Sequence, residues 1–261
     1  MAEQLIPADS TKPNADVHDA QIARHDAEAR MDMYRFLATI YLQPPSEAII
    51  RHFADKDVDD QLVSMFGESI VTPIHEMALA FDFRDDLAQL QQEYMGLFSA
   101  PAGQYVTPFE DVYRGLRLDG NQERGPLLGD RAVAVKIIYH STGADLERTC
   151  TELPTHVGVE LSFMNFLCEQ EVKHLNQVEI EQDAEVEAGI YRQWQLKFLH
   201  EHLGDWFPQL RRAIESNARL PFYIQMAQLT QAFLDQDKDW LIQRFKSDLS
   251  ARETSTPGQE Q

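Results

Sequence analysis

The sequence predicts an all-α fold, on three observations. Apolar residues recur every three to four positions along most of the 261-residue chain, the spacing that gathers them on one face of a helix. Alternation with period two, the mark of a half-buried strand, is almost absent. Turn formers are concentrated in two breaks, residues 100–125 and 143–154, and do not punctuate the chain at the short, regular spacing of sandwiches and barrels. The expected architecture is a helical bundle of about nine helices in two subdomains separated by the break at 143–154.

Residues 1–19 are rich in Ala, Asp, Pro, Ser, Thr and Asn and show no apolar period, so they read as a disordered tail, as do residues 251–261. The first helix is expected at about 20–42, where Met33, Phe36, Leu37, Ile40 and Tyr41 form one stripe and Pro44-Pro45 ends it. Segments at about 46–54, 60–81 and 84–99 repeat the pattern, the last with Leu87, Leu90, Tyr94, Leu97 and Phe98 on one face. These belong to an N-terminal subdomain, 20–142, that also holds the 100–125 loop with its Pro101, Gly103, Pro108, Gly115, Gly120, Gly125 and, just beyond, Pro126. Loops of that length are uncommon in compact domains and often functional.

A helix from Leu127 to about Thr142 is stopped by Gly143. Residues 143–154 form the second break, and the C-terminal subdomain, 155–250, opens with Thr155 as N-cap and Val157, Leu161, Met164 and Cys168 on one helical face. The five carboxylates between Glu179 and Glu187 read as a solvated connection, because like charges so dense resist burial. Helices at about 188–203, 205–217 and 221–249 complete the chain. Pro221 suits a first helical turn, and an interruption is expected near Asp235-Gln236-Asp237.

Composition narrows function. With 43 Asp+Glu against 23 Lys+Arg the formal charge is −20, which argues against nucleic acid and against an anionic membrane surface, since both need a basic face. The hydrophobic share of 43% and charged share of 25% are ordinary for a globular chain, so the core is not diluted. Cys150 and Cys168 form no CxxC motif, the N-terminus lacks a signal-peptide pattern, and no apolar run is long enough to span a bilayer. The expectation is a cytoplasmic protein with reduced thiols.

Motifs for chemistry are sparse. No phosphate loop, GxSxG elbow, HExxH or GxGxxG occurs, so neither a cofactor nor a catalytic residue is expected. Glu171-Val172-Lys173-His174 has the Glu-x-x-His spacing of di-iron bundles, but the second copy and extra carboxylates that such a site needs are missing. The segment therefore reads as a solvated helix end with no metal. A helical metalloenzyme built on Glu171 and His174 is the alternative function. His200 and His202, two apart, point about 200° away from each other on a helix and would not ligate together.

Three fragments together carry a resemblance. They are Glu93-Tyr94-Met95-Gly96-Leu97-Phe98-Ser99-Ala100-Pro101, Thr107-Pro108-Phe109-Glu110-Asp111-Val112-Tyr113-Arg114-Gly115, and Glu152-Leu153-Pro154-Thr155-His156-Val157-Gly158-Val159-Glu160 running on to Met164. In this order and spacing they resemble the TorD/DmsD/NarJ family of redox-enzyme maturation chaperones. Tyr41-Leu42-Gln43-Pro44-Pro45-Ser46 and His200-Glu201-His202-Leu203-Gly204-Asp205-Trp206 are similar to the family as well. Phe109 stands where many relatives have Trp, and Thr155 where they have Asp before the His.

The resemblance implies an all-helical TorD/DmsD-like fold with a hinge at Glu152, Pro154, Thr155, His156 and Glu160, and a monomer or domain-swapped homodimer. It also implies a non-enzymatic cytoplasmic chaperone serving anaerobic respiration. Such a chaperone holds the apo catalytic subunit of a molybdopterin-containing oxidoreductase, commonly by its twin-arginine signal peptide, until cofactor insertion and export. A leader with two Arg and an apolar stretch needs carboxylates beside an apolar groove. Tyr94, Leu97, Phe98, Pro108, Phe109 and Tyr113 are candidate lining, although Tyr94, Leu97 and Phe98 taken alone read more readily as core. Glu110, Asp111, Glu152 and Glu160 are candidate charges. Arg114 either joins this site or pairs with a hinge carboxylate such as Glu152. A guanine-nucleotide role has no loop here to support it.

Overall fold

The computed structural model describes residues 12–99, 105–114, 125–145, 151–177 and 183–255. The described residues are α-helical in eleven segments, joined by turns and one π-helical turn, with no strand beyond a single isolated bridge. α1 (Lys12–Leu42) begins eight residues before the expected start and buries Leu37, Ile40 and Tyr41 of its predicted stripe and, beside them, Tyr34, while Met33 and Phe36 are half-buried. α2 (Glu47–Ala54) buries Ile50 and Phe53. The segment expected as one helix at 60–81 is two, α3 (Lys56–Phe66) and α4 (Glu68–Leu79). The cause is Gly67, at φ +82°, a left-handed conformation that no other residue adopts cheaply. Asp55 starts α3 by accepting the Asp57 backbone N–H at 2.8 Å.

α5 (Asp86–Tyr94) runs into the π-helical turn Met95–Ser99, and α6 (Glu110–Arg114) is a short helix inside the expected loop. α7 (Asp130–Ser141), α8 (Val157–Leu175), α9 (Ala184–Glu201), α10 (Leu203–Asn217) and α11 (Pro221–Ser255) follow. One hydrophobic core collects side chains from both sides of residues 143–154, among them Leu37, Tyr41, Leu97, Phe163, Phe198, Trp206 and Phe222. α8 lies between α1 and α9, and α11 packs on α4, α9 and α10. Gly158 permits the close approach of α1 to α8, since a Cβ there would lie 2.4 Å from Leu42 Cγ.

Val157, Leu161, Met164 and Cys168 are all buried, as their spacing predicts. Cys168 is a free thiol, pushed up first by burial, beside the charged side chains of Arg30, Asp237 and Glu171. Cys150, Glu179 and Glu181 lie outside the described residues.

Two expectations about charged residues in the helices are overturned. The Glu171 segment is not a solvated helix end: Glu171 is fully buried and accepts from Arg192 at 3.0 Å, Gln195 at 2.9 Å and Arg30 at 3.3 Å. Nor does α11 break near Asp237. That residue is buried, paired to the Arg30 guanidinium and hydrogen-bonded by the Tyr34 hydroxyl. Two carboxylates against two guanidiniums, with Gln195 and Tyr34 supplying further hydrogen bonds, make this burial tolerable and join α1, α8, α9 and α11.

Candidate functional site: the α6 segment, the start of α8 and the α9–α10 elbow

The second and third resemblance fragments meet in space. The Glu110 N–H donates to the Thr155 carbonyl at 2.9 Å and the Val157 N–H to the Pro108 carbonyl at 2.9 Å, which makes the isolated antiparallel bridge Phe109–His156. Phe109 packs edge-on against the His156 ring, centroids 5.2 Å apart. Asp111, also buried, accepts from the Thr155 hydroxyl at 2.9 Å and from the Ala132 N–H of α7 at 3.2 Å. Thr155 thus brings no carboxylate of its own to the seam but donates to one supplied from α6.

Thr155 is not the N-cap of α8. His156 is, its Nδ1 accepting the Gly158 N–H at 3.0 Å. An accepting Nδ1 requires the neutral ring with hydrogen on Nε2, and burial pushes His156 down to about 3, which keeps it in that form.

Behind this seam lies a buried charged cluster. Glu110 and Glu160 are both fully buried. Trp206 Nε1 donates to Glu160 at 2.8 Å, and Tyr113 stacks on the same indole with centroids 5.6 Å apart. His202 Nδ1 lies 3.0 Å from Glu110 Oε2, and Arg114 donates to Glu110 at 2.7 Å. Burial, then the neighbouring Glu110, pushes the Glu160 carboxyl well above its ordinary range. Two adjacent buried carboxyls do not both ionise readily, which favours the neutral form of Glu160. Arg114 continues outward to Asp205, at 3.0 Å, and to the Glu201 carbonyl.

Arg114 thus pairs with Glu110 and Asp205, not with Glu152, which is exposed in the turn before α8. Of the four carboxylates expected to meet a cationic peptide, Glu110, Asp111 and Glu160 are buried and engaged, and Glu152 alone is open. Tyr94, Leu97 and Phe98 take the core reading: all three are buried, with the Tyr94 hydroxyl on the Tyr41 carbonyl at 3.1 Å and Phe98 against Tyr41 and Tyr223. Pro108 is buried, and Tyr113 and Arg114 are half-buried.

A cleft of about 570 Å³ opens beside the cluster, between α7 and the elbow joining α9 to α10. Arg114, Arg131, Ile137, His200, Glu201 and Asp205 line it. Its α7 side combines the apolar Ala134, Ile137 and Ile138 with Arg131, and Ile137 is 61% exposed. The elbow side carries the exposed carboxylates of Glu201 and Asp205. Sequence reasoning named His200–Trp206 without giving Glu201, Asp205 or Trp206 a site role. The available signal was Gly204: a Cβ there would lie 2.5 Å from the Leu199 carbonyl oxygen, so the sharp elbow needs glycine.

The sequence model described as nitrate reductase delta subunit matches residues 67–212, from the α3–α4 junction into α10. The chain belongs to this family. Curated relatives include a protein named Chaperone protein TorD from Vibrio cholerae, 24% identical over 227 residues, covering 83% of this chain and 94% of that protein. Proteins of the same name from Vibrio parahaemolyticus, 21% identical over 82% of this chain and 95% of theirs, and Shewanella loihica, 19% over 80% and 92%, are also similar. No solved structure matches the chain significantly. The family match spans every residue of the cluster and cleft, so the site lies within what family members share in length and order. Among the described residues no helix is long and apolar enough to cross a membrane.

Proposed function

We propose that this protein is a non-enzymatic, cytoplasmic assembly chaperone for the catalytic subunit of a molybdopterin-containing oxidoreductase. It holds the apo subunit through its twin-arginine leader until the cofactor is inserted. The observation that carries the reading is the cleft, where Ala134, Ile137 and Ile138 on the α7 side, beside Arg131, face the exposed Glu201 and Asp205. A peptide with a cationic pair followed by an apolar stretch satisfies both surfaces at once. Family membership supports the client class, as do relatives that are named chaperones and match over nearly their whole length. The formal charge of −20 favours a cationic partner and disfavours nucleic acid.

The metalloenzyme alternative loses ground to one observation. Glu171 is already engaged by two guanidiniums and Gln195 in the core.

The test is fluorescence anisotropy of the full chain with labelled leader peptides, alongside capture of precursor subunits from cells induced for the oxidoreductase. Ile137→Asp is expected to weaken leader binding tenfold or more. If the wild-type chain binds no leader and captures no such subunit, the reading is wrong.

A further inference from the structure

Arg114 is bound as an incoming arginine would be bound. Its guanidinium meets the Glu110 carboxylate at 2.7 Å, the Asp205 carboxylate at 3.0 Å and the Glu201 carbonyl. Two carboxylates and a main-chain oxygen around one planar fork are a guanidinium receptor. The three acceptors differ in access. Glu110 is fully buried, whereas the Asp205 side chain is 52% exposed and stands at the cleft. Arg114 reaches Asp205 through Nε to one carboxylate oxygen, Oδ2. The outer half of the receptor, Asp205 with the Glu201 carbonyl, therefore faces the space in which a ligand would lie. The inner half would keep Arg114 anchored if the outer contacts were given up. The Arg114 side chain is itself 18% exposed, so a partial swing away from the elbow needs no opening of the core.

We infer that the α9–α10 elbow is a guanidinium-recognition site for a client arginine, and that Arg114 occupies it as an internal placeholder in the free chain. The inference rests on the leader-binding reading and adds to it the residues that select arginine. A client arginine takes Asp205 and the Glu201 carbonyl, and Arg114 falls back on Glu110. Its apparent affinity is lowered by the fraction of free protein in which Arg114 fills the outer half. Selection of arginine over lysine follows from the same geometry, since an ammonium cannot span a carboxylate and a carbonyl with a planar fork.

The sign of one substitution separates this from a merely structural Arg114. Anisotropy titrations of wild type, Arg114→Gln and Asp205→Asn use a leader carrying Arg-Arg and the same leader carrying Lys-Lys. The inference expects Arg114→Gln to bind the Arg-Arg leader about three- to fivefold more tightly, an exposed-pair effect of roughly 1 kcal/mol at most. It expects Asp205→Asn to bind it several-fold more weakly while retaining its unfolding midpoint, and the Lys-Lys leader to show neither change. Weaker or unchanged binding by a folded Arg114→Gln, or an Asp205→Asn chain indistinguishable from wild type, overturns it. If Arg114→Gln does not fold, Asp205→Asn with the two leaders decides alone. Wild-type binding that does not distinguish the leaders removes the guanidinium site and leaves the chaperone reading standing, whereas no binding of either leader removes both.

Discussion

Glu160→Gln isolates the buried carboxyl pair. In the wild type Glu160 accepts from Trp206 Nε1 at 2.8 Å and lies beside Glu110, and its carboxyl is held well above the ordinary range by burial and then by that neighbour. A glutamine keeps the acceptor for the indole and carries permanent donors for Glu110, so it imitates the protonated acid without the ability to ionise. A raised folded value means that the native state binds the proton more tightly than the unfolded chain does. The resulting stability is fully present below the unfolded value of about 4.3 and is lost as pH rises toward the folded value.

Each unit by which the value is raised is worth about 1.4 kcal/mol between those limits, and the glutamine chain does not lose it. Urea unfolding of both chains from pH 4.5 to 9 is therefore expected to show them within about 1 kcal/mol at the acid end. The variant should gain on wild type as pH rises. For a chain of this size each 1 kcal/mol moves the thermal midpoint by roughly 2–4 °C, within reach of calorimetry. Glu160→Ala, which strands the Trp206 N–H and leaves a cavity, should cost about 3 kcal/mol or more. Parallel pH profiles for wild type and Glu160→Gln, or a glutamine variant as damaged as the alanine one, would refute the account of a protonated Glu160.

Two further outcomes follow from the buried groups. Glu171→Ala leaves Arg30 without one of its carboxylates and Arg192 without the one described for it, and should destabilise by about 3–5 kcal/mol in urea unfolding, with no dependence on added iron or manganese. His156 has its folded value pushed down to about 3, so the stability it confers is present above about 6.5 and drains away as pH falls. His156→Asn keeps a cap acceptor without the titration. It should flatten the acid limb of the stability profile below pH 6.5, and an unchanged limb would contradict the neutral cap.

Much of the fold was legible because its code is local. The face Val157, Leu161, Met164, Cys168 is buried as periodicity requires, as are Leu37, Ile40 and Tyr41 of the first stripe, whose Met33 and Phe36 are half-buried, and the Pro- and Gly-rich stretch does house the α6 segment. What periodicity missed were charged residues in core positions. Arg30 precedes Tyr34, Leu37 and Tyr41 at helical spacing, Glu171 sits between Cys168 and Leu175, and Asp237 between Leu234 and Leu241; all are buried. Each charge reads as solvated when considered within its own helix, because its partners come from helices more than a hundred residues away in most pairs. The same non-locality hid the site. Glu110 reads as an exposed loop carboxylate until His202 and Arg114 are found against it.

The Thr155–Asp111 contact bears on how relatives should be compared. Donor and acceptor sit 44 residues apart in sequence and meet at 2.9 Å with no exposed surface to absorb a mismatch. Replacing Thr155 by Asp would set two carboxyls face to face, while a matching change of Asp111 to a hydroxyl residue would restore one donor and one acceptor with the polarity reversed. The two positions therefore form one chemical unit, and a comparison with any relative has to read Thr155 together with its partner on α6.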